Sequence, residues 1–312
     1  MLIGLSMMEV ALLLCAGVLL DLLLGEARRW HPLVGFGTLA MRIERRLNAG
    51  GLRLGRGALA WAVAVLPLTA LGAAAAWYGA YAVHALLLYF ALGLRSLGEH
   101  NLPIAQALEA GELARARELT GWIVSRDTAT ASPPELAKAS AESLLENGND
   151  AVFGALFWFI LLGGAGALLF RLSNTLDAMW GYRSSRFNLF GRTAARIDDV
   201  LNYVPARLTA ISYVLLAEHR ARAWQCWRTQ APDWPSPNAG PVMASGAGAL
   251  GLALGGSAIY DGVAEQRPPL GRGSAPQARD IRRAWTLVCK TTVLWLVMAL
   301  ALALSVAGWS HA

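Results

Sequence analysis

Long apolar runs alternate with Arg-bearing polar segments along this chain. Residues 3–24 are apolar except for Glu9 and Asp21, and residues 25–56 are polar with seven Arg. Residues 57–94 hold no Asp, Glu, Lys or Arg over 38 positions, about twice the roughly 20 residues that one membrane span needs. That length predicts a helical hairpin, with apolar arms at 57–76 and 79–95 and a turn near Gly72–Gly79. Residues 95–150 are polar and read as soluble helices, with helical periodicity from Pro103 to Thr120. Ser132-Pro133-Pro134-Glu135 is a helix start, because a cap, Pro in the first turn and a following Glu suit the N-terminal geometry. Residues 151–170 are again uncharged and 171–198 polar. Residues 199–217 are apolar but interrupted by Pro205 and Arg207. Residues 218–284 are rich in Pro and Gly, with a small-residue stretch at Ala244–Gly256. A last apolar run, 285–309, contains Lys290. The expected fold is all-α: a polytopic integral membrane protein of about five apolar helices plus polar cytoplasmic helices, forming one membrane-embedded domain over 1–312.

Positive-inside counting strains this scheme. The segments 25–56, 95–150, 171–198 and 218–284 all carry Arg and so favour the cytoplasm. If all face one side, 151–170 cannot be a simple span. Either 151–170 and 199–217 form one hairpin around a periplasmic loop, or one of them is shielded by protein rather than lipid. The second option is favoured, because the chemistry below wants 171–198 inside.

Composition supports the membrane reading: 55% of residues are hydrophobic and 15% charged, against about a quarter charged in soluble domains. Mean hydropathy is +0.42, and twelve Trp suit membrane interfaces. No Lys or Arg precedes Arg28, so the first run lacks the basic start of a cleaved signal and is read as a retained span. The net charge of +6 is almost all Arg, which indicates cytoplasmic loops, contact with anionic membrane lipid, or a phosphorylated substrate. Nucleic acid is excluded as a partner, since no basic run is interleaved with stacking aromatics. Cys15, Cys226 and Cys289 have neither CxxC nor metal-ligand spacing, so they read as reduced, apolar thiols.

Five constellations carry possible chemistry. Asp21…His31-Pro32 lies where the first span meets its loop, with Arg28, Arg29 or His31 as candidate partners for the Asp21 carboxylate. In Glu142-Ser143-Leu-Leu-Glu146-Asn147-Gly-Asn149-Asp150, the three acids recur at i, i+4 and i+8. Like charges so placed repel, and a divalent cation such as magnesium would relieve them; a solvated acidic face is the plain alternative. Arg171, Asn174 and Asp177 recur every three residues along one helix side, although Arg171, Trp180 and Tyr182 could also be membrane-edge anchors. Arg192, Arg196 and Asp199 share a face, with Asn202 at i+3 from Asp199, an arrangement suited to metal and phosphate or to a structural ion-pair network. Ser236-Pro237-Asn238-Ala239-Gly240-Pro241 precedes Gly246, Gly248 and Gly251, small residues that allow close backbone approach. No GxxxxGK[ST] occurs, so no P-loop is offered.

In their order, these motifs and Ser125-Arg126-Asp127 resemble the CobD/CbiB family of cobalamin biosynthesis, the adenosylcobinamide-phosphate synthases. The resemblance runs from Asp21 to about Lys290. One departure is Pro241-Val-Met-Ala-Ser-Gly, where the family usually continues with Trp and a Met-Ala-rich run. The resemblance implies an ATP-dependent amide-forming ligase of the bacterial inner membrane, its active site facing the cytoplasm. It would join aminopropanol phosphate, or a related amino alcohol phosphate, to the carboxylate of a corrinoid, adenosylcobyric acid, giving adenosylcobinamide phosphate. Mg2+ and ATP are the implied cofactor and cosubstrate. Glu146, Asp150, Asp177 and Asp199 would place the metal. Arg126, Arg196 and Arg207, with Asn147, Asn174 and Asn238, would hold substrate and phosphate. Asp150, Asp177, Glu146 and His31 are the candidate catalytic residues, with His31 or a carboxylate taking the amine proton. Other enzymes of the pathway and a second copy of the chain are further expected partners.

Two other classes fit less well. An AmpE-like membrane sensor or accessory protein would not need the acidic and Asn positions. A transporter would use intramembrane Glu9, His84 and Lys290, yet the ionisable residues concentrate in the loops.

Overall fold

A computed structural model describes residues 4–27, 31–260 and 262–310. In chain order the elements are α1 (Met7–Leu24), α2 (Pro32–Leu47), α3 (Arg53–Ala91), α4 (Leu94–Glu109), α5 (Leu113–Gly121), α6 (Pro133–Gly148), a π-helical turn (Asn149–Phe153), α7 (Gly154–Trp180), α8 (Arg192–Leu216), α9 (Arg220–Gln230), α10 (Ala239–Leu250), strands β1 (Leu254–Tyr260) and β2 (Val263–Leu270), and α11 (Ala278–Ser310). The chain divides into two compact units. One holds Met1–Leu94, Asp150–Asn202 and Leu296–Ala312, and the other Arg95–Asn149 and Tyr203–Trp295.

The helical expectation holds. Among the described residues, five helical segments are long and apolar enough to cross a membrane: Met7–Leu24, Arg53–Gly79, Tyr81–Glu109, Pro133–Trp180 and Ala278–Gly308. The chain is therefore read as a multi-pass membrane protein. The expected run 199–217 is not among them; it forms part of α8, with Pro205 inside the helix.

In the first unit, the expected hairpin is realised within the helical run Arg53–Ala91, which holds one candidate span, Arg53–Gly79, and the start of a second, Tyr81–Glu109. A Cβ on Gly72 would lie 2.7 Å from a Leu168 methyl and 3.7 Å from a Leu87 methyl. In a straight helix residues 72 and 87 would stand about 22 Å apart, so the chain reverses between them, and the bare Gly72 backbone admits α7 closely.

A further reversal lies at Gly163, inside the segment 151–170. Gly163 adopts φ 62°, ψ −154°, a region open essentially only to glycine. On either side of it the chain doubles back. A Cβ on Gly166 would meet the Trp158 carbonyl oxygen at 2.3 Å, and one on Gly154 would meet the Phe170 ring at 2.0 Å. In a straight helix Gly154 and Phe170 would stand about 24 Å apart. Residues 154–162 and those following Gly163 are thus two antiparallel helical arms. A 20-residue segment does go in and come back, contrary to the expectation from length. Gly163 and the small residues around it make the arms short and close. His84 of α3 secures the bend: its Nδ1 accepts the Gly164 N–H at 3.0 Å, and its ring meets Phe159 edge-on at 6.3 Å.

The core of this unit joins α2, α3, α7 and the start of α8 through Phe36, Ala60, Val65, Leu176, Trp180 and Phe190. Trp180 and Phe190 pack edge-to-face with centroids 5.2 Å apart. The Arg186 guanidinium forks onto Glu44 at 3.0 and 2.6 Å. These bonds outweigh burial and hold the Glu44 carboxyl below its ordinary range.

In the second unit, α10 is buried at every position, which is why its sequence is almost all small and apolar. β1 and β2 form an antiparallel hairpin in which Tyr260 pairs with Val263. The strands were not expected. Their signal was Asp261-Gly262, a dipeptide typical of two-residue hairpin loops; Asp261 lies outside the described residues.

Gly163→Ala should destabilise the protein by about 1–3 kcal/mol, read as a lower thermal midpoint in detergent. His84→Leu should cost about 1–3 kcal/mol by orphaning a buried donor, and His84→Gln, which keeps an acceptor, should recover part of it. Unchanged stability in Gly163→Ala would refute the fold-back.

Candidate functional site

The fold-back brings the two ends of the apolar segment together. Asp150 lies in the π-helical turn before the first arm and Arg171 follows the second. Each acts on the other's charge, and Asp21 and Glu26 act on Arg171 as well. Arg171 Nε is buried, with no hydrogen-bond partner among the described residues. Asp21 is buried at the end of α1. Of its expected partners, Arg28 and Arg29 lie outside the described residues, and Arg171 supplies nearby positive charge.

Further carboxylates gather in the same unit. Asp177 lies within electrostatic reach of Asp150 and Asp199. Asp198, at 7% exposure, accepts from Asn174 Nδ2 at 3.3 Å and from Asn202 Nδ2 at 3.0 Å, one amide to each oxygen. Burial first, then the charges of Asp150 and Asp177, push the Asp198 carboxyl well above the usual range, while the two amides pull it back. Burial also raises Asp199. Sequence reasoning chose Asp199 from the Asp198-Asp199 pair, yet Asp198 is the better enclosed. The i, i+4 spacing to Asn202 was the available signal.

Among the described residues, no three His, Cys, Asp or Glu side chains converge closely enough to hold a metal ion alone. Magnesium, however, commonly takes only one or two carboxylates and fills its shell with water and phosphate oxygens. Several acids held near one another without a shared cation-binding cage fit that mode.

Of the expected Glu142–Glu146–Asp150 stripe, Glu142 and Glu146 belong to the second unit, and Asp150, in the π-helical turn at Asn149–Phe153, to the first. Glu142, 2% exposed, is neutralised by protein. It accepts from Arg126, from Arg267 Nη1 at 3.1 Å and Nη2 at 3.2 Å, and from the Gly255 N–H at 2.7 Å. Glu146 and Asn147 are half-buried, and Asn147 donates to Ser143 Oγ at 3.1 Å. Sequence reasoning missed Arg267, which lies on an unpredicted strand.

The remaining candidates are dispersed. Arg207 donates to Asn238 Oδ1 at 2.8 Å and to the Pro237 carbonyl at 2.9 Å, and lies over the Tyr203 ring at 3.5 Å. It thereby fixes the Ser236–Gly240 loop. Arg192 and Arg196 are exposed. His31 caps α2, its Nδ1 accepting the Leu33 N–H at 3.2 Å.

Two predictions follow from these charges. Asp198 has a raised folded pKa, so the fold favours its neutral form. Without divalent cation, stability should fall as pH rises from about 4, the unfolded value, through the raised folded value. Asp198→Asn should flatten that slope in thermal melts across pH, and an equal slope in both proteins would exclude Asp198 as its source. Glu142→Ala should cost about 3–5 kcal/mol by leaving two buried guanidinium groups unpaired, read from denaturation in detergent.

Comparison with known proteins gives one consistent answer. The profile described as CobD/Cbib protein matches residues 14–288. "Cobalamin biosynthesis protein CobD" of Stutzerimonas stutzeri (strain A1501) is 56% identical, covering 98% of this chain and 100% of the relative. The protein of that name from Chromobacterium violaceum is 52% identical over the same shares. That from Mycobacterium tuberculosis (strain H37Rv) is 39% identical, covering 87% of this chain and 88% of the relative. No solved structure matches the chain. With its motifs in order and its profile matched over most of its length, the chain belongs to the CobD/CbiB family.

Proposed function

We propose that this protein works in cobalamin biosynthesis as an inner-membrane, ATP-dependent amide ligase, joining an amino alcohol phosphate to adenosylcobyric acid. The gathering of Asp150, Asp177, Asp198 and Asp199 carries the reading, together with the family to which the chain belongs. Buried acids that raise one another's proton affinity are costly to keep as a structural feature alone, and a phosphate-bound cation is the natural counter-charge. The proposed site faces the cytoplasm, where ATP is found.

ATP would give one oxygen of the corrinoid carboxylate a leaving group. The amine nitrogen then bonds to the carboxyl carbon, the activated oxygen departs with its phosphoryl group, and the amine loses a proton. Bound magnesium would neutralise charge developing on the phosphoryl oxygens. Asp150 and Asp177 would hold it, with Asp199 close to Asp177. The Asn174 and Asn202 amides keep Asp198 in place behind them. A carboxylate of this set, rather than the capping His31, would accept the amine proton. Arg171 would stabilise negative charge near Asp150.

The test is amide formation by protein reconstituted in lipid, with adenosylcobyric acid, aminopropanol phosphate, ATP and Mg2+. Wild type should form product only with both ATP and the metal. Asp150→Ala and Asp177→Ala should each lower turnover by about 100-fold or more, on the scale of losing an electrostatic contributor. Full activity in both variants would sink the metal assignment, and product without ATP would sink the ligase reading.

A further inference from the structure

We infer that a cleft in the second unit, between the loop after α5, the first turns of α6 and strand β1, is a site for a small zwitterion carrying phosphate and ammonium groups. The assignment rests on the ligase reading above for the identity of its natural occupant, an amino alcohol phosphate. Its chemistry comes from the lining alone: Arg126, Asp127, Thr128, Thr130, Glu135 and Lys138 line a cleft of about 100 Å³.

The charges come in opposite pairs. Arg126 spends one Nη on Glu142, but a guanidinium has five N–H donors. Lys138 Nζ donates to the Gly255 and Ser257 carbonyls at 2.9 and 3.3 Å, and an ammonium has three donors. Both cations thus keep donors for a phosphate, which the Thr130 hydroxyl suits as well. The acids are also fixed and also keep capacity. Asp127 Oδ2 accepts the Gly262 N–H at 2.7 Å. Glu135 Oε2 accepts the Ser132 N–H at 2.8 Å and its hydroxyl at 2.6 Å. These bonds engage one oxygen of each acid.

The walls do not move readily. The Asp127 N–H donates to the Ile259 carbonyl at 2.8 Å, tying the loop to β1. Thr128 Oγ1 donates to the Arg117 carbonyl at 2.9 Å, tying it to α5. Glu142 holds Arg126 and Arg267 from beneath. A fixed array with both signs disfavours a ligand of one sign. A polyphosphate would meet Asp127 and Glu135, and a simple amine would meet Arg126 and Lys138. A short molecule with a phosphate at one end and an ammonium at the other satisfies both pairs.

The same chemistry occurs in the headgroup of an ethanolamine phospholipid, so the test separates the two sources. Full-length protein in nanodiscs free of ethanolamine lipid is titrated calorimetrically with 1-amino-2-propanol phosphate, with propanediol phosphate, which lacks the amine, and with unphosphorylated aminopropanol. Wild type should bind the zwitterion about tenfold more tightly than propanediol phosphate, the scale of one charge-assisted contact, and the unphosphorylated amine weakest. The double variant Asp127→Asn, Glu135→Gln should lose the preference for the amine yet still bind propanediol phosphate, which also shows that it is folded. Lys138→Gln should weaken both phosphate ligands by about tenfold. Equal wild-type affinity for the two phosphates, no binding of either, or variants that bind as wild type does would overturn the site. Loss of zwitterion binding in nanodiscs containing phosphatidylethanolamine would assign the cleft to lipid and overturn the soluble occupant. Amide formation is assayed on the same preparations. Turnover with unaltered binding in the variants rejects the site and keeps the ligase reading. The expected binding pattern without turnover in wild type keeps the site and rejects that reading.

Discussion

Reversing an apolar helix at Gly163 is the constraint on which the first unit depends. A bend in such surroundings exposes backbone groups that neither water nor a regular helix can satisfy, at several kcal/mol each. Two devices make it affordable. Glycine adopts a backbone conformation closed to other residues, and His84 accepts the Gly164 N–H that the bend leaves unpaired. Close packing of the arms, with Gly154 against Phe170 and Gly166 against Trp158, then replaces length with contact. The consequence is chemical. The polar ends of the arms, Asp150 and Arg171, come within reach of one another.

Asp198 lacks the charge compensation given to two other buried acids. Glu44 has Arg186 and Glu142 has two arginines, so each of those carboxylates is a structural anion with its counter-charge built in. Asp198 instead has two neutral amides and acidic neighbours. Amides orient a carboxylate without neutralising it. Fixed orientation with unmet charge is the condition in which a carboxylate gains most from an incoming cation. Two otherwise similar buried acids, Glu142 and Asp198, therefore have different uses, decided by whether the nearest donors carry charge.

Much of this was legible in the sequence, and the failures share a physical cause. Apolar runs and caps marked α1, α6 and α11 correctly, because length and cap chemistry are local. The Ser132-Pro133-Pro134-Glu135 start is realised as a full capping box. Glycines were read less well, since a glycine can turn a chain or admit a neighbour and only the tertiary partner decides. Gly72 lies in the expected hairpin and also makes a helix contact, whereas Gly163 was passed over and makes a further turn. The spacing of the acidic stripe from Glu142 to Asp150 could not reveal that Glu142 is matched by Arg126 and Arg267, which come from distant parts of the chain. Asp150, Asn174 and Asp177 were picked out because polar residues beside apolar runs are conspicuous. Arg267 was invisible because it depends on a hairpin that the all-helical expectation did not contain.

The roles of arginine differ accordingly, and composition could not separate them. Arg186 fastens a loop, Arg207 fixes the Ser236–Gly240 turn through Asn238, and Arg126 and Arg267 discharge Glu142. Each spends its charge or its donors on the fold. Arg171 is different: it is enclosed among acids and keeps a buried Nε without a described partner. A buried donor left in this state is costly, and the cost is recovered only when something accepts from it. Among these gathered acids, the simplest acceptor is an anionic group arriving with its own metal, which would meet both the guanidinium nitrogen and the Asp198 charge.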